Sequence, residues 1–209
     1  MAMPAIDRPQ RTARSEASRK QLAAAAIDVF GTYGYAKATI QEIVTRAHVS
    51  KPLFYRHFRN KEEIFGWAVD RVFSDWREAL ERAAEGEPDS ALAALRAVFM
   101  EQLDYARARP FLNRLLSRDS QWILSTRTEV WDEACDALRK LIEQLLDRGV
   151  AEGEVRTDLP VDHLADLLTE IHLAYANRQI LTGRLVDARL AENVAACMIS
   201  GVESRSGER

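Results

Sequence analysis

The sequence predicts an all-α protein in two parts, an N-terminal head of three helices and a larger helical bundle behind it. Three observations carry that expectation. Apolar residues recur at three- and four-residue spacing from about Ser15 onward. No segment competes with the period-two alternation of a strand. Short polar residues that can cap a helix stand just ahead of the periodic runs, at Thr39, Ser50 and Asn60. With 209 residues, 47% of them hydrophobic, the chain is long enough for a substantial core.

The first 14 residues, MAMPAIDRPQRTAR, hold two prolines and no sustained period, so they are expected to form a disordered basic arm. From about Ser15 a buried helical stripe follows: Leu22, Ala25, Ala26, Val29, Phe30 and Tyr33. Gly34, just past it, closes the helix, because glycine tolerates the positive φ that a helix end often needs. Thr39-Ile40-Gln41-Glu42 has the form of a capping box and opens a two-turn helix with Ile40, Ile43, Val44 and Ala47 inward. Ser50 caps a third short helix, about Lys51 to Phe58, where Pro52 is tolerated because first-turn N–H groups have no intrahelical partner. Asn60-Lys61-Glu62-Glu63 repeats the capping logic and starts a long helix through about Glu85, apolar on two sides: Ile64, Ala68, Val72 and Ala79 on one, Val69, Phe73, Trp76 and Leu80 on the other.

Beyond it, helices are expected over about Ser90 to Arg107, Phe111 to Arg118, Gln121 to Arg148 with a break near Ser125, Val161 to Leu181, and Asp187 to Ser204. GVAEGEVRTDLP, residues 149–160, is expected as a loop. The domains are therefore expected as an arm over 1–14, a head over 15–62 and a body over 63–209.

Net charge is −3, but it is sorted along the chain. Residues 1–65 hold 11 Lys and Arg against 6 Asp and Glu, a balance of +5, and the other 144 hold 18 against 26, a balance of −8. A basic head on an acidic body points to a polyanion met by the head alone. No run approaches the roughly 18 apolar residues of a membrane span, and no apolar stretch precedes a cleavage site at the N-terminus, so a soluble cytoplasmic protein without membrane contact is expected. Cys135 and Cys197 lack metal-ligand spacing and are too few for a disulfide framework; each is expected as a small buried hydrophobe, the alternative being a redox or cross-subunit role.

Two short helices joined by about three residues, the second opening with polar and basic groups, form a helix-turn-helix candidate. In HVSKPLFYRHF, residues 48–58, Phe54 and Phe58 stand four apart as a buried pair, which leaves Lys51, Tyr55, Arg56 and His57 outward or at the rim. Tyr55 and His57 can donate to phosphate oxygens, whereas Lys51 and Leu53 near the helix N-terminus are placed for base edges. Leu53 has a second reading, packed under the helix. Arg8, Arg11 and Arg14 on the arm belong either to a solubilising tail or to a minor-groove contact.

The run FGTYGYAKATIQEIVTRAHVSKPLFYRHFRNKEEIF, residues 30–65, resembles the DNA-binding domain of the tetracycline-repressor (TetR) family of transcriptional regulators. The resemblance rests on Phe30 with Gly34-Tyr35, Thr39, Ile43-Val44 with Ala47, Val49-Ser50-Lys51, Tyr55-Arg56-His57-Phe58 and Lys61-Glu62-Glu63, and it covers about Ser18 to Phe65. It implies that Thr39, Lys51, Tyr55, His57 and Lys61 meet the DNA backbone and that Lys51, Pro52 and Leu53 approach bases. Ser50 and Arg56 complete the candidate DNA-binding set. One departure stands out: the family usually has glycine in the turn where this chain has His48, which is either tolerated there or adds a phosphate or pH-sensitive contact.

The resemblance further implies a body that binds an effector and dimerises, so that two heads reach successive major grooves about 34 Å apart on a palindromic operator in double-stranded DNA. The last two helices are the interface that the resemblance favours, with Ala191, Ala195, Ala196, Ser200 and Gly201 allowing close approach and Leu190, Val194, Met198 and Val202 supplying apolar surface; for any single one of these the alternative is core within one subunit. Phe99, Leu103, Trp122, Trp131, His172 and Tyr175 are candidates for an effector pocket or for core; Asp104, Asn177 and Arg178 are polar groups near them. The expected effector is a small, largely apolar molecule whose binding releases a repressor from DNA. The alternative is a constitutive architectural or protein-interaction module with no effector. No cofactor is expected, and neither is an enzyme, since no H-E-x-x-H, nucleophile elbow, glycine-rich phosphate loop or paired-cysteine signature is present.

Overall fold

A computed structural model describes residues 8–115, 128–182 and 187–204. The described chain is helical: α1 (Arg8–Lys37), α2 (Ile40–Arg46), α3 (Lys51–His57), α4 (Lys61–Glu85), α5 (Ala91–Ala108), α6 (Pro110–Leu115), α7 (Thr128–Glu152), α8 (Val161–Thr182) and α9 (Ala188–Val202). Among the described residues the sole β pairing is an isolated bridge between Val155 and Glu203. The chain divides into two compact units, Met1–Arg71 and Val72–Arg209. Since α4 runs from Lys61 to Glu85, its first three turns belong to the first unit and the rest to the second.

In the first unit, α1 starts at Arg8, seven residues before the start that the apolar spacing indicates. Pro9 suits a first turn, where its missing N–H is no loss, and a helix turn needs no buried side to continue outward from a packed one. The helix is interrupted at Gly34, whose φ of 73° and ψ of 166° lie in a region open almost only to glycine. The stripe from Leu22 to Phe30 is buried, but Tyr33 is 44% exposed. The inward aromatic at this end is Tyr35, beyond the break: its ring stacks on Phe30 at 6.0 Å and meets the Phe65 edge at 4.8 Å. Spacing along a continuous helix cannot anticipate a side chain re-aimed by a glycine kink.

The second unit is built around α5, which packs against α6, α7, α8 and α9. Its buried side includes Leu95, Val98, Phe99, Gln102 and Leu103. Ser90 caps it, accepting from the Ala93 N–H at 3.1 Å, and Glu154 reaches over from the α7–α8 connection to accept from Ser90 Oγ and the Leu92 N–H at 3.1 and 3.0 Å. The same connection ties down α9, with Arg156 N–H on the Val202 carbonyl at 2.9 Å and Ser204 N–H on the Glu154 carbonyl at 2.7 Å.

The helix end before this connection differs from the sequence expectation. Gly149 lies inside α7, and the stop falls four residues later at Gly153, with φ 77°. The Glu154 N–H bonds to the Gly149 carbonyl at 2.8 Å and the Gly153 N–H to the Val150 carbonyl at 3.1 Å, the paired bonds of a Schellman ending. Gly149 serves close packing instead: a Cβ there would meet Val155 Cγ2 at 2.5 Å and Ala91 Cβ at 3.0 Å. Gly149→Ala is therefore expected to destabilise the protein by up to about 2 kcal/mol, an overpacking cost of about 1–3 kcal/mol less about 1 kcal/mol of helix propensity. Urea unfolding checks this, and in a Val155→Ala background the loss should largely vanish.

Candidate nucleic-acid interface

Local chemistry positions α2 and α3. At Thr39 the capping box is complete: its hydroxyl accepts from the Glu42 N–H at 3.2 Å and donates to Glu42 Oε2 at 2.8 Å, while the same carboxylate oxygen accepts the Thr39 N–H at 2.8 Å. Ile43, Val44 and Ala47 are buried and Ile40 is half-buried. The turn after α2 is again a Schellman ending, with His48 N–H on the Thr45 carbonyl at 3.2 Å and Val49 N–H on the Val44 carbonyl at 3.0 Å. His48 occupies its left-handed position at φ 53°, the one non-glycine positive φ among the described residues. Its side chain is exposed. His48→Gly is expected to raise head stability by about 0.5–1 kcal/mol, relief of left-handed strain less the added freedom of the unfolded chain. Denaturant melts of the two proteins check this.

In α3, Ser50 Oγ accepts from the Leu53 N–H at 3.4 Å. Phe54 and Phe58 are fully buried with ring centroids 5.8 Å apart. That anchorage sets the rest of the helix: Lys51, Pro52, Tyr55 and Arg56 are exposed, Leu53 and His57 half-buried. Tyr55 turns 52% of its surface to solvent while its ring meets the edge of Phe54 at 5.3 Å. Leu53 thus divides its side chain between packing and the exposed face. His57 is less free than its expected role suggests: its Nε2 is shielded and has no partner among the described residues, and burial, then Arg56 and Arg19, push its pKa below the ordinary value. The imidazole is neutral at pH 7 and brings one N–H.

Two expected contact residues are engaged inside the head. The Thr39 hydroxyl hydrogen is on Glu42. Lys61 Nζ donates to the Tyr35 and Ala38 carbonyls at 2.8 and 3.0 Å and lies 4.4 Å from the centre of the Tyr35 ring. The α4 start is capped as expected, with Glu63 N–H on Asn60 Oδ1 at 2.8 Å and the Glu63 carboxylate accepting the Arg59 N–H at 2.6 Å. Arg19, which no motif picks out, lies 5.6 Å over the Phe58 ring.

In the second unit the candidate pocket residues separate. Phe99 and Leu103 are buried, and Phe99 meets the rings of His172 and Tyr175 edge-on at 5.1 and 6.0 Å. Trp131 pairs instead with Phe73, at 5.9 Å. Trp122 lies outside the described residues. Asp104 is exposed and bonds to Arg107 at 2.9 Å, Arg178 is exposed, and the Asn177 side chain lies outside the description. Gln102, which periodicity does not single out, is buried beside His172 and donates to its carbonyl at 2.8 Å.

The expected interface residues of α9 fall on two sides. Ala191, Ala195, Met198 and Val202 are buried within the unit, whereas Leu190, Ala196, Ser200 and Gly201 are exposed and Val194 is half-buried. Between α8 and α9 runs an open apolar groove of about 640 Å³, lined by residues that include Leu167, Ile171, Leu190, Val194 and Cys197. Cys197 is thus exposed rather than buried, because it lies on the outward side of α9. Cys135 is half-buried, and burial with Asp132, Asp136 and Glu170 nearby pushes its thiol up to about 11, so it stays protonated and unreactive. Among the described residues, no cluster of His, Cys, Asp and Glu is placed to hold a metal, and no helix is long and apolar enough to cross a membrane.

Residues 22–66 match the model of bacterial regulatory proteins of the tetR family. The chain is 26% identical over 183 residues to the HTH-type transcriptional repressor NicS of Pseudomonas putida, covering 84% of both proteins. It is 40% identical over 96 residues to the HTH-type transcriptional activator FasR of Mycolicibacterium smegmatis, 44% of this chain and 43% of that one. In fold it is similar to the transcriptional regulator FadR of Bacillus subtilis, solved in complex with stearoyl-CoA, with a TM-score of 0.68 at 21% identity over 88% of this chain and 98% of that one. With a matched head, relatives that extend across the body and an all-helical fold in common, the chain is a regulatory protein of the TetR family.

Proposed function

We infer that the protein is a ligand-responsive transcriptional regulator that binds a palindromic operator as a homodimer, with α3 as the helix that enters the major groove. The observation that carries this is the division of α3: Phe54 and Phe58 are buried, while Lys51, Pro52, Tyr55 and Arg56 are exposed on a helix capped at Ser50. Lys51, Pro52 and Leu53 sit in the first turn, the part of a recognition helix that reaches base edges. Tyr55 and Arg56 donate to phosphates, with His57 at the rim. The exposed leucines and half-buried valine of the α8–α9 groove supply a surface that a second copy covers, which supports dimerisation through these two helices.

Effector binding acts by preferring a state whose heads are wrongly spaced. A coupling of about 1–3 kcal/mol changes operator affinity about 5- to 150-fold, and a ligand with equal affinity for both states changes nothing. The helix α4, with turns in both units, is the covalent element through which a shift in the body reaches the head. Repression is the proposed mode, in keeping with the name of the NicS relative; the FasR relative carries an activator's name.

Fluorescence anisotropy against DNA flanking the coding region tests this reading. A palindromic site should be preferred over random duplex by about 10³-fold or more. With about 6–10 phosphate contacts per dimer, affinity should drop about 10³- to 10⁵-fold between roughly 50 and 200 mM salt. Equal affinity for random and flanking DNA would support an architectural module in its place.

A further inference from the structure

Between α5 and α8, two buried side chains are incompletely partnered. Gln102 and His172 are 2% and 1% exposed. The Gln102 amide nitrogen donates to the His172 carbonyl at 2.8 Å, which fixes its amide orientation, since only the nitrogen can bond there. His172 Nδ1 lies 2.7 Å from the Leu168 carbonyl; a carbonyl only accepts, so Nδ1 carries the hydrogen and Nε2 presents a lone pair. Gln102 Oε1 and His172 Nε2 are thus both acceptors, and neither has a hydrogen-bond partner among the described residues. Burial pushes the imidazole pKa down to about 4, so protonation does not convert Nε2 into a donor at neutral pH.

We propose that Gln102 Oε1 and His172 Nε2 form the polar reading head of the effector site, and that the effector is an uncharged, largely apolar molecule presenting a hydroxyl or N–H donor to them. The proposal rests on the reading of the chain as a ligand-responsive regulator and names the chemistry of its ligand. Two buried acceptors that no donor satisfies call for a donor from the ligand and repel a carboxylate. The surroundings are apolar: Phe99 meets His172 edge-on at 5.1 Å, and Leu103 and Leu168 are buried. Tyr175, one turn beyond His172, is in edge contact with Phe99 and extends the aromatic surroundings of the pair.

The test uses the full-length protein and isosteric probes: octanol, heptyl methyl ether and octanoate, and para-cresol, anisole and benzoate. Calorimetric titration and ligand-induced melting shifts read their binding. The alcohol or phenol should bind about 10-fold or more tighter than its matched ether, with no binding of the carboxylate. In a Gln102→Met, His172→Leu variant the preference should disappear; the variant also gives up the side-chain bonds to the His172 and Leu168 carbonyls, so its melt is recorded to show that it folds, and the comparison among probes on the unaltered protein stands without the variant. The proposal is overturned if ether or carboxylate matches the alcohol, if the variant keeps the preference, or if no probe binds, which would leave the pair holding a trapped water only. Operator release separates this from the wider reading. Release by octanoate but not octanol sinks the donor chemistry and keeps a ligand-responsive regulator; octanol that binds through the pair without altering DNA affinity keeps the site and sinks the regulator.

Discussion

Phe54→Ala is expected to lower the stability of the Met1–Arg71 unit by about 3–5 kcal/mol, a large part of the roughly 5–15 kcal/mol that holds a domain folded. The ring is completely buried, and it contacts both Phe58 and Tyr55, so its removal leaves a cavity under the whole of α3. Hydrogen exchange of the α2 and α3 amides reads the loss within the head, where a global melt would mix it with the body. Tyr55→Phe is the control one residue away. It keeps the ring on Phe54 and removes only a hydroxyl on a side chain 52% exposed, so stability should hold while operator affinity falls about 5- to 10-fold per head. Equal loss of protection in both variants would mean that α3 is not seated through Phe54, and the assignment of its outer face to DNA would go with it.

The contrast between these neighbours was legible in the sequence because its causes are local. Phe54 within a seven-residue helix and Phe58 at its C-cap give α3 one buried side, and Thr39, Ser50 and Asn60 each bind an N–H three residues on. Features set by tertiary approach were not legible. Gly149 and Gly153 both read as helix stops; only the Val155 methyl pressing on Gly149 tells a packing glycine from a capping one. Tyr33 and Tyr35 are both compatible with a buried stripe until Gly34 redirects the chain. Along α9 the apolar residues cover two sides, and periodicity does not say that Met198 and Ala195 are buried within the unit while Leu190 and Ala196 face out. Gln102 was invisible for a related reason, since a polar residue in an apolar stripe gives no sign of whether its neighbours satisfy it.

Lys61→Met is expected to destabilise the head by about 2–3 kcal/mol, more than any surface lysine warrants. The ammonium bonds to the Tyr35 and Ala38 carbonyls, where α1 ends beyond its glycine break and helix carbonyls have no intrahelical partner. It also sits 4.4 Å from the centre of the Tyr35 ring, which stacks in turn on Phe30. Methionine keeps the aliphatic stem and removes only the charge and the donors, so the loss reports those bonds rather than packing. The effect on DNA then separates two roles that the family resemblance alone runs together. If Lys61 touches a phosphate, the slope of log affinity against log salt should fall by about one per head. If it positions the α1 end, the slope should stay unchanged under conditions where the variant is folded, and Lys61→Arg should recover stability only in part, because a planar fork does not reproduce a point charge between two carbonyls and a ring. Two of its three N–H groups are already committed to carbonyls, which favours the unchanged slope.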